Sequence, residues 1–394
     1  MNPATRRTIL LVPDDSLFLA FRLPRILRDA GCDVDLLCLP DELMIRSRHI
    51  RTAFPEGTHD AIFRRLLEIL RDPARPWQKV VVANEAIARR LFASGDTAAL
   101  ANWQPGAAEP LWRSFFVDKL GLASVWEAGV LPVPPGRACA CLREVEEFAH
   151  EHGWPIIVKP PHGAGGCGVM KVDGPRELRA QAAALAFPIL AQKFIRGVRG
   201  VADMFTADGR ALAWLTSYST RQYSGEFSSS TARHFQAMPE IRPLIAQVAR
   251  LTRFEGFCGF DWIREEETGR HWLVEFHPRA PSGFRFGRFC GVSFPAAIEA
   301  WLDGSAYSFP PQVQPPGKGV RAHYFTSDLI RCVRRRDWAG LRAWLPGSGA
   351  RHDVFWDDLP LMFAWAVRRL WRRFRPPATR SRAQHGEKVT ATHE

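Results

Sequence analysis

The sequence predicts an α/β protein in two parts: a Rossmann-like parallel sheet over residues 1–110, then a longer α+β region with mixed antiparallel sheets. Three observations predict it. Short apolar runs alternate with helix-spaced segments up to residue 110, the pattern of parallel βαβ units. Beyond that point strand-like runs follow one another across polar turns, which suits antiparallel pairing. The composition is 46% hydrophobic and 24% charged over 394 residues, an ordinary globular balance with room for two or three domains.

Thr8–Val12 (TILLV) has the continuous apolar pattern of a buried strand. Phe18–Ala30 carries helical spacing and ends at Gly31, a C-terminal cap. Asp33–Leu39 is a second strand, and Ala61–Arg71 a helix with Ile62, Leu66, Leu67, Ile69 and Leu70 as its apolar positions. Lys79–Ala83 is a third strand, followed by a helix through Leu91. The Gly/Pro/Ala-rich stretch 95–110 reads as a connection between domains.

The second part opens with one helix over Trp112–Ala128, closed by Gly129, and a second over Leu142–His152. Trp154–Lys159 is a strand, then comes the loop PPHGAGGCG, then strand-like Val169–Val172. Pro175–Ala186 and Glu240–Phe254 are helices; Ile189–Ile195, Gly200–Phe205 and Ala211–Ser217 are strands. Phe257–Arg264 and His271–Phe276 form a hairpin about the turn Glu265–Gly269, and Ser293–Trp301 is a helix. The Pro/Gln/Gly-rich stretch 305–319 suits a linker, the stretch 305–375 a basic extension, and 376–394 a disordered tail.

The first residues, MNPATRRTILLVPDD, lack the 7–15-residue apolar core of a secretory signal, and no apolar run approaches the ~20 residues of a membrane span. A cytoplasmic protein is expected. Its eight cysteines include no C-x-x-C pair, so they read as reduced, mostly buried thiols rather than a zinc site. The formal charge of +12 is concentrated late: residues 318–394 hold 16 Lys and Arg against 7 Asp and Glu. Within that region Leu359–Arg375 places Phe363, Val367, Leu370, Trp371 and Phe374 on one helical face, and Arg368, Arg369, Arg372, Arg373 and Arg375 on another. Two readings stand: a helix docked on the body, or a peripheral contact with the inner face of an anionic membrane. No nucleic-acid-reading motif accompanies the arginines, so no nucleic acid is expected as partner.

The chemistry lies in the middle of the chain. Gly163, Gly165 and Gly168, with Gly166 between them, fit G-x-G-x-x-G. A dinucleotide fingerprint needs a helix after the loop, whereas here a strand follows. The loop is therefore a flap whose backbone N–H groups can close over phosphates. Lys159 ends the strand before it, where an ammonium can reach such a phosphate. Asp261 and Glu275 sit in consecutive strands a hairpin's width apart, and His277 shares the face of Glu275 by period two. Arg279 follows. A polyphosphate with a metal ion would use this corner; a surface cluster of ion pairs is the alternative.

These residues resemble the ATP-grasp superfamily, in its carboxylate–amine or carboxylate–thiol ligase type, from about Trp112 to Gly304. The resemblance implies a pre-ATP-grasp domain at 1–110 and a two-lobed ATP-grasp domain at 111–304. DK followed by AGVLPVP makes Lys119 an α-phosphate contact, and PIIVKP makes Lys159 an α/β-phosphate contact. GAGGCGV resembles the phosphate flap. ILAQKFIRG resembles the adenine-holding strand, with Gln192 facing the amino group through its carbonyl and with Lys193 and Ile195 offering backbone. GFDWI and LVEFHPR make Asp261, Glu275 and His277 magnesium or manganese ligands and Arg279 the group that stabilises the transferring phosphate. Three positions depart from the family pattern: Gln192 for Glu, Arg199 at the ribose position, and His277 for Asn. The implied activity transfers the γ-phosphoryl group of ATP to a small carboxylate, giving an acylphosphate and ADP, and an amine or thiol then displaces phosphate. Ser282, Gly283, Arg285 and Arg288 in the glycine-rich loop, and Arg221 in a polar second lid over Ser217–Arg233, are the candidate substrate contacts. A phosphotransferase on the same site, or a membrane-associated nucleotide-binding protein with a degenerate site, are the alternatives.

Overall fold

The computed structural model describes residues 7–14, 21–163, 165–225, 227–317, 319–325 and 327–374, with side chains to residue 368 in the last stretch. Strands β1 (Arg7–Val12), β2 (Cys32–Cys38), β3 (Thr52–Pro55) and β4 (Lys79–Val82) form a parallel sheet in the order β3-β2-β1-β4. β2 is buried along its whole length and β1 over its last four residues, because helices cover both faces of a parallel sheet. β3 escaped the sequence reading: it is a short, exposed edge strand without an apolar pattern. The helix His59–Arg71 is capped by the Thr58 side chain, which accepts from the Ala61 N–H, and it buries Ile62, Leu66, Ile69 and Leu70. The helix expected from Phe18 runs over Leu23–Asp29; residues 15–20 lie outside the described residues.

The single helix expected over 112–128 is two, Pro110–Val117 and Gly121–Glu127. Asp118 is extended, and its carboxylate accepts from the Leu120 N–H at 2.7 Å, a local bond that competes with the helix. Gly121 lets the second helix turn back on the first, since a Cβ there would fall 2.4 Å from the Ser114 carbonyl oxygen. Apolar spacing resumes after the break, which hides it from a periodicity argument. The break presents Lys119.

A second, antiparallel sheet has the order β5-β8-β6-β7, from β5 (Gly136–Cys139), β6 (Ile156–Lys159), β7 (Met170–Val172) and β8 (Ile189–Lys193). Val145, Phe148 and Leu178 from two helices close its core. The third and largest sheet runs β13-β12-β9-β10-β11-β15-β16. Its members are β9 (Gly197–Ala207), β10 (Arg210–Gln222), β11 (Ser230–Phe235), β12 (Gly256–Glu265), β13 (His271–His277), β15 (Val320–His323) and β16 (Arg351–His352), and β14 (Gln312–Val313) lies beside β10. The stretch Ser217–Arg233, read as a polar lid, is mostly strand, and only 223–229 connects β10 to β11. One face of these strands is polar, so the alternation that marks a strand is faint there. Residues 305–352, read as linker and extension, contribute three strands to the sheet.

Trp262, on β12 near one edge of this sheet, is 1% exposed. Its partner in register is Gly200, where a Cβ would lie 2.1 Å from the indole Cζ2. Gly200→Ala is expected to cost about 1–3 kcal/mol through overpacking, read as a lower denaturation midpoint in urea. An unchanged midpoint would show that the indole can shift.

The chain closes on itself. Asp357 pairs with Arg22, the Asp358 carboxylate accepts from Ser47 Oγ and from the Arg48 N–H, and Arg368 donates to the Asp41 carbonyl at 2.9 Å. The helix Leu359–Phe374 docks through Leu361, Met362 and Trp365, the apolar positions outside the expected stripe. Phe363 and Val367, within the stripe, are 72% and 47% exposed. The core it meets, not the helix's own periodicity, selects its inward face. Among the described residues no helix is long and apolar enough to cross a membrane.

Candidate functional site

A cleft of about 460 Å³ lies between the second and third sheets. Lys159, at the end of β6, projects into it and is 7% exposed. Its Nζ donates to Gln192 Oε1 at 2.8 Å and to the Val274 carbonyl at 2.9 Å. Burial brings its pKa down to about 8, with the nearby Glu275 carboxylate opposing that fall. Lys119 reaches the same place from the helix break. Its Nζ is 3.2 Å from Glu275 Oε1 and donates to the Gly163 carbonyl at 2.8 Å. The turn holding it is tied by the Lys119 N–H to the Pro161 carbonyl. Lys119 thus pairs with Glu275, and Lys159 lies within that carboxylate's electrostatic reach while bonding its neighbours Gln192 and Val274, beside the glycine loop.

Gly163, Gly165, Gly166 and Gly168 all have positive φ, between 63° and 133°, a conformation costly for any residue with a Cβ. The first three line the cleft. A Cβ on Gly166 would be 1.8 Å from the Phe227 carbonyl oxygen, and one on Gly165 2.5 Å from Ser229 Oγ. The flap therefore lies on the 223–229 connection, and the two segments roof the cleft together. Gly168 instead packs toward Pro160 and does not line it. Arg199 borders the roof, its guanidinium 4.6 Å from the Phe227 ring centroid.

Asp261 and Glu275 are directly paired residues of β12 and β13. Among the described residues, however, no three His, Cys, Asp or Glu side chains converge at a spacing that would hold a metal ion. The expected triad of Asp261, Glu275 and His277 is not assembled. Asp261 Oδ1 is 3.1 Å from His277 Nε2, while Glu275 turns to Lys119. Each carboxylate has taken the nearest protein cation, which is what opposed like charges do. Burial would raise Asp261, but His277 outweighs it and holds the carboxyl below its ordinary value; Asp261 in turn raises His277 against burial. The two opposed carboxylates fit a hard divalent cation. His277 Nε2 is engaged by Asp261 here, as Glu275 is by Lys119.

Arg279 is 9% exposed and lines the cleft, and its Nε donates to Glu85 Oε2 at 2.7 Å. Glu85 opens the helix Glu85–Ser94 of the first sheet, so this pair ties that sheet to the reaction corner. Burial raises Glu85, but Arg279 overrides it and leaves the carboxyl lowered. Gln192 is 2% exposed; its carbonyl is taken by Lys159 and its Nε2 has no partner. In this arrangement the carbonyl expected to face an amino group is held by Lys159. Lys193 and Ile195 border the cleft beside it.

The substrate candidates separate. Ser282 faces the cleft, and its Oγ meets the Tyr324 hydroxyl at 3.0 Å. Gly283 lies behind it; its N–H donates to Asp203 Oδ1 at 3.1 Å, and a Cβ would strike that carboxylate. Arg285 turns the other way and pairs with Asp353 at 2.9 Å, and Arg288 is exposed on that same far side. Arg221 also leaves the cleft. It meets the fully buried Asp328 at 2.9 Å, a carboxyl held well below its usual range against burial by bonds from His323, Thr231 and Trp344. Arg221→Ala should lower the melting temperature by several degrees while the substrate KM stays unchanged; a raised KM at an unaltered melting temperature would restore a substrate role.

The sequence reading missed Asp203 and Arg233, which also line the cleft. Asp203 is fully buried and its carboxyl is pushed up by burial. A lone Asp inside the apolar run GVADMF was the available signal. Arg233 carried none, since its strand read as a flexible lid.

Residues 116–282 match the family model of the ATP-grasp domain. The D-alanine–D-alanine ligase of Alkalilimnicola ehrlichii is 26% identical over 172 residues, covering 41% of this chain and 55% of that protein. The chain spans about half the length of this and of two other D-alanine–D-alanine ligases that it resembles. Among solved structures, N5-carboxyaminoimidazole synthetase from Staphylococcus aureus, complexed with ADP, has a TM-score of 0.64 at 12% identity over 84% of this chain and 86% of that one. The L-amino acid ligase from Bacillus licheniformis has a TM-score of 0.59 at 15% identity, over 81% and 80%. At these identities the likeness to the solved structures is one of fold.

Proposed function

Because residues 116–282 are an ATP-grasp domain, we propose that the chain is an ATP-dependent ligase that activates a small carboxylate as its acylphosphate and joins it to an amine. The observation that carries this reading is the gathering of two lysines about the glycine flap: Lys119 pairs with Glu275 and the Gly163 carbonyl, and Lys159 lies buried in the cleft with Glu275 acting on its charge. That constellation suits a triphosphate: fixed positive charge where phosphoryl charge develops, in a roofed cleft that limits water.

In this reading Lys159 and Lys119 hold the phosphate chain. On ATP binding they exchange Gln192 and Glu275 for phosphate oxygens. Arg279, oriented by Glu85, presents its remaining guanidinium N–H groups to the phosphoryl being transferred. A divalent cation between Asp261 and Glu275 would supply further positive charge there. The flap, resting on 223–229, keeps water from the acylphosphate until the amine displaces phosphate. No side chain of the enzyme need become covalently attached. The similarity to a D-alanine–D-alanine ligase supports an amine acceptor over a thiol.

The test is product analysis with pooled small carboxylates and amines. ADP and phosphate should be released only with both substrates and a divalent metal, and hydroxylamine should trap the acyl group as a hydroxamate. AMP release, or ATP turnover indifferent to the carboxylate, would refute the reading.

A further inference from the structure

A second cavity of about 340 Å³ opens between the helix Leu23–Asp29, the turn 284–290 and the segment 353–357. The loop 281–285 divides it from the nucleotide cleft: Pro281 and Ser282 face the cleft, while Phe284 and Arg285 face the second cavity. Its walls are largely apolar, with Ile26, Phe284, Phe289 and Phe294 among them. Its size is that of a small-molecule site.

The charges along its rim do not balance. Four guanidinium groups, of Arg22, Arg25, Arg285 and Arg288, face three carboxylates, of Asp29, Asp353 and Asp357. Three of the arginines are committed. Arg22 pairs with Asp357 and donates to the Val354 carbonyl. Arg25 bridges Asp29 at 2.7 Å and Asp357 at 3.3 Å. Arg285 pairs with Asp353. Among the described residues Arg288 takes part in no ion pair or hydrogen bond; its guanidinium lies over the Phe289 ring, 4.5 Å from the centroid. Partial burial and the neighbouring Arg22 and Arg25 lower its pKa, consistent with a charge that lacks a close counter-charge.

We propose that this cavity binds a small organic carboxylate with an apolar body, its carboxylate on Arg288 and its body against Phe284, Phe289 and Phe294. One unmatched guanidinium suits a monoanion, and its planar fork suits a carboxylate. A dianion would add repulsion from the three aspartates. The site stands apart from the reaction proposed above and does not depend on it.

The probe is 3-phenylpropionate, titrated into the full chain and followed by ligand-observed NMR. Saturable binding is expected, about tenfold weaker for Arg288→Ala and for the uncharged 3-phenylpropanamide, and undiminished by saturating ATP. Ile26→Trp, which fills the cavity from its wall, should abolish binding in a protein with unchanged melting temperature. That variant keeps the test open should Arg288→Ala prove unstable. Absence of saturation up to about 10 mM, equal binding by either variant, or displacement by ATP would overturn the proposal. Displacement by inorganic phosphate as effective as by unlabelled phenylpropionate would also overturn it, since the apolar walls would then contribute nothing.

Discussion

Glu275→Gln is expected to reduce ATP-dependent turnover by at least about a thousandfold while the protein remains folded. The carboxylate is the meeting point of the cleft: it sits opposite Asp261 in the hairpin and 3.2 Å from Lys119. The amide keeps the shape but loses the charge. It can neither help hold a divalent cation nor balance the Lys119 ammonium. Its side chain is 26% exposed, so the hairpin should tolerate the change. Steady-state ADP release and a thermal melt together check this. Activity within about tenfold of the parent, at an unchanged melting temperature, would remove Glu275 from the reaction centre.

Lys159→Ala should weaken nucleotide binding about 10- to 100-fold and flatten its pH dependence. Burial lowers this lysine to about 8 from 10.5. It is therefore charged below pH 8 in the nucleotide-free protein, and phosphate binding favours the charged form. Affinity of the parent should be greatest below pH 8 and fall as the pH rises through that value. The variant should lack that step. Stability runs the other way. Between about 8 and 10.5 the folded chain has shed this proton and the unfolded chain has not, so this group makes stability rise with pH across the window. Its buried charge costs stability below 8, and removing it should not lower the melting temperature there. Calorimetric titrations with a nonhydrolysable nucleotide across this range check the first part, and melts of both proteins the second. A pH step that survives in the variant would assign the titration to another group.

Much of the layout was legible because periodicity reports burial. β1, β2 and β4 read as apolar runs, and the helix Leu142–His152 matched its expected ends. Strand pairing placed Asp261 beside Glu275 from spacing alone. What was not legible depended on long-range partners. Arg221 looks like any polar loop residue until Asp328, 107 positions away, claims it. Arg285 is claimed by Asp353 in the same way. The break at Asp118 is set by one local hydrogen bond and one close helix contact, neither of which disturbs apolar spacing. β11 borders a polar cleft, so its strand signal was too weak to separate from a loop.

The placement of β15 next to β11 has a bearing on how the protein can be handled. A recombinant fragment trimmed to the 116–282 match would leave β11 as a bare edge, its backbone groups open to another copy. It would also lose Asp328, the counter-ion of Arg221. Such a fragment should associate into higher oligomers. During synthesis the sheet cannot zip shut before β16, at Arg351–His352, has left the ribosome, so the pairing of β11 waits on a distant stretch of chain.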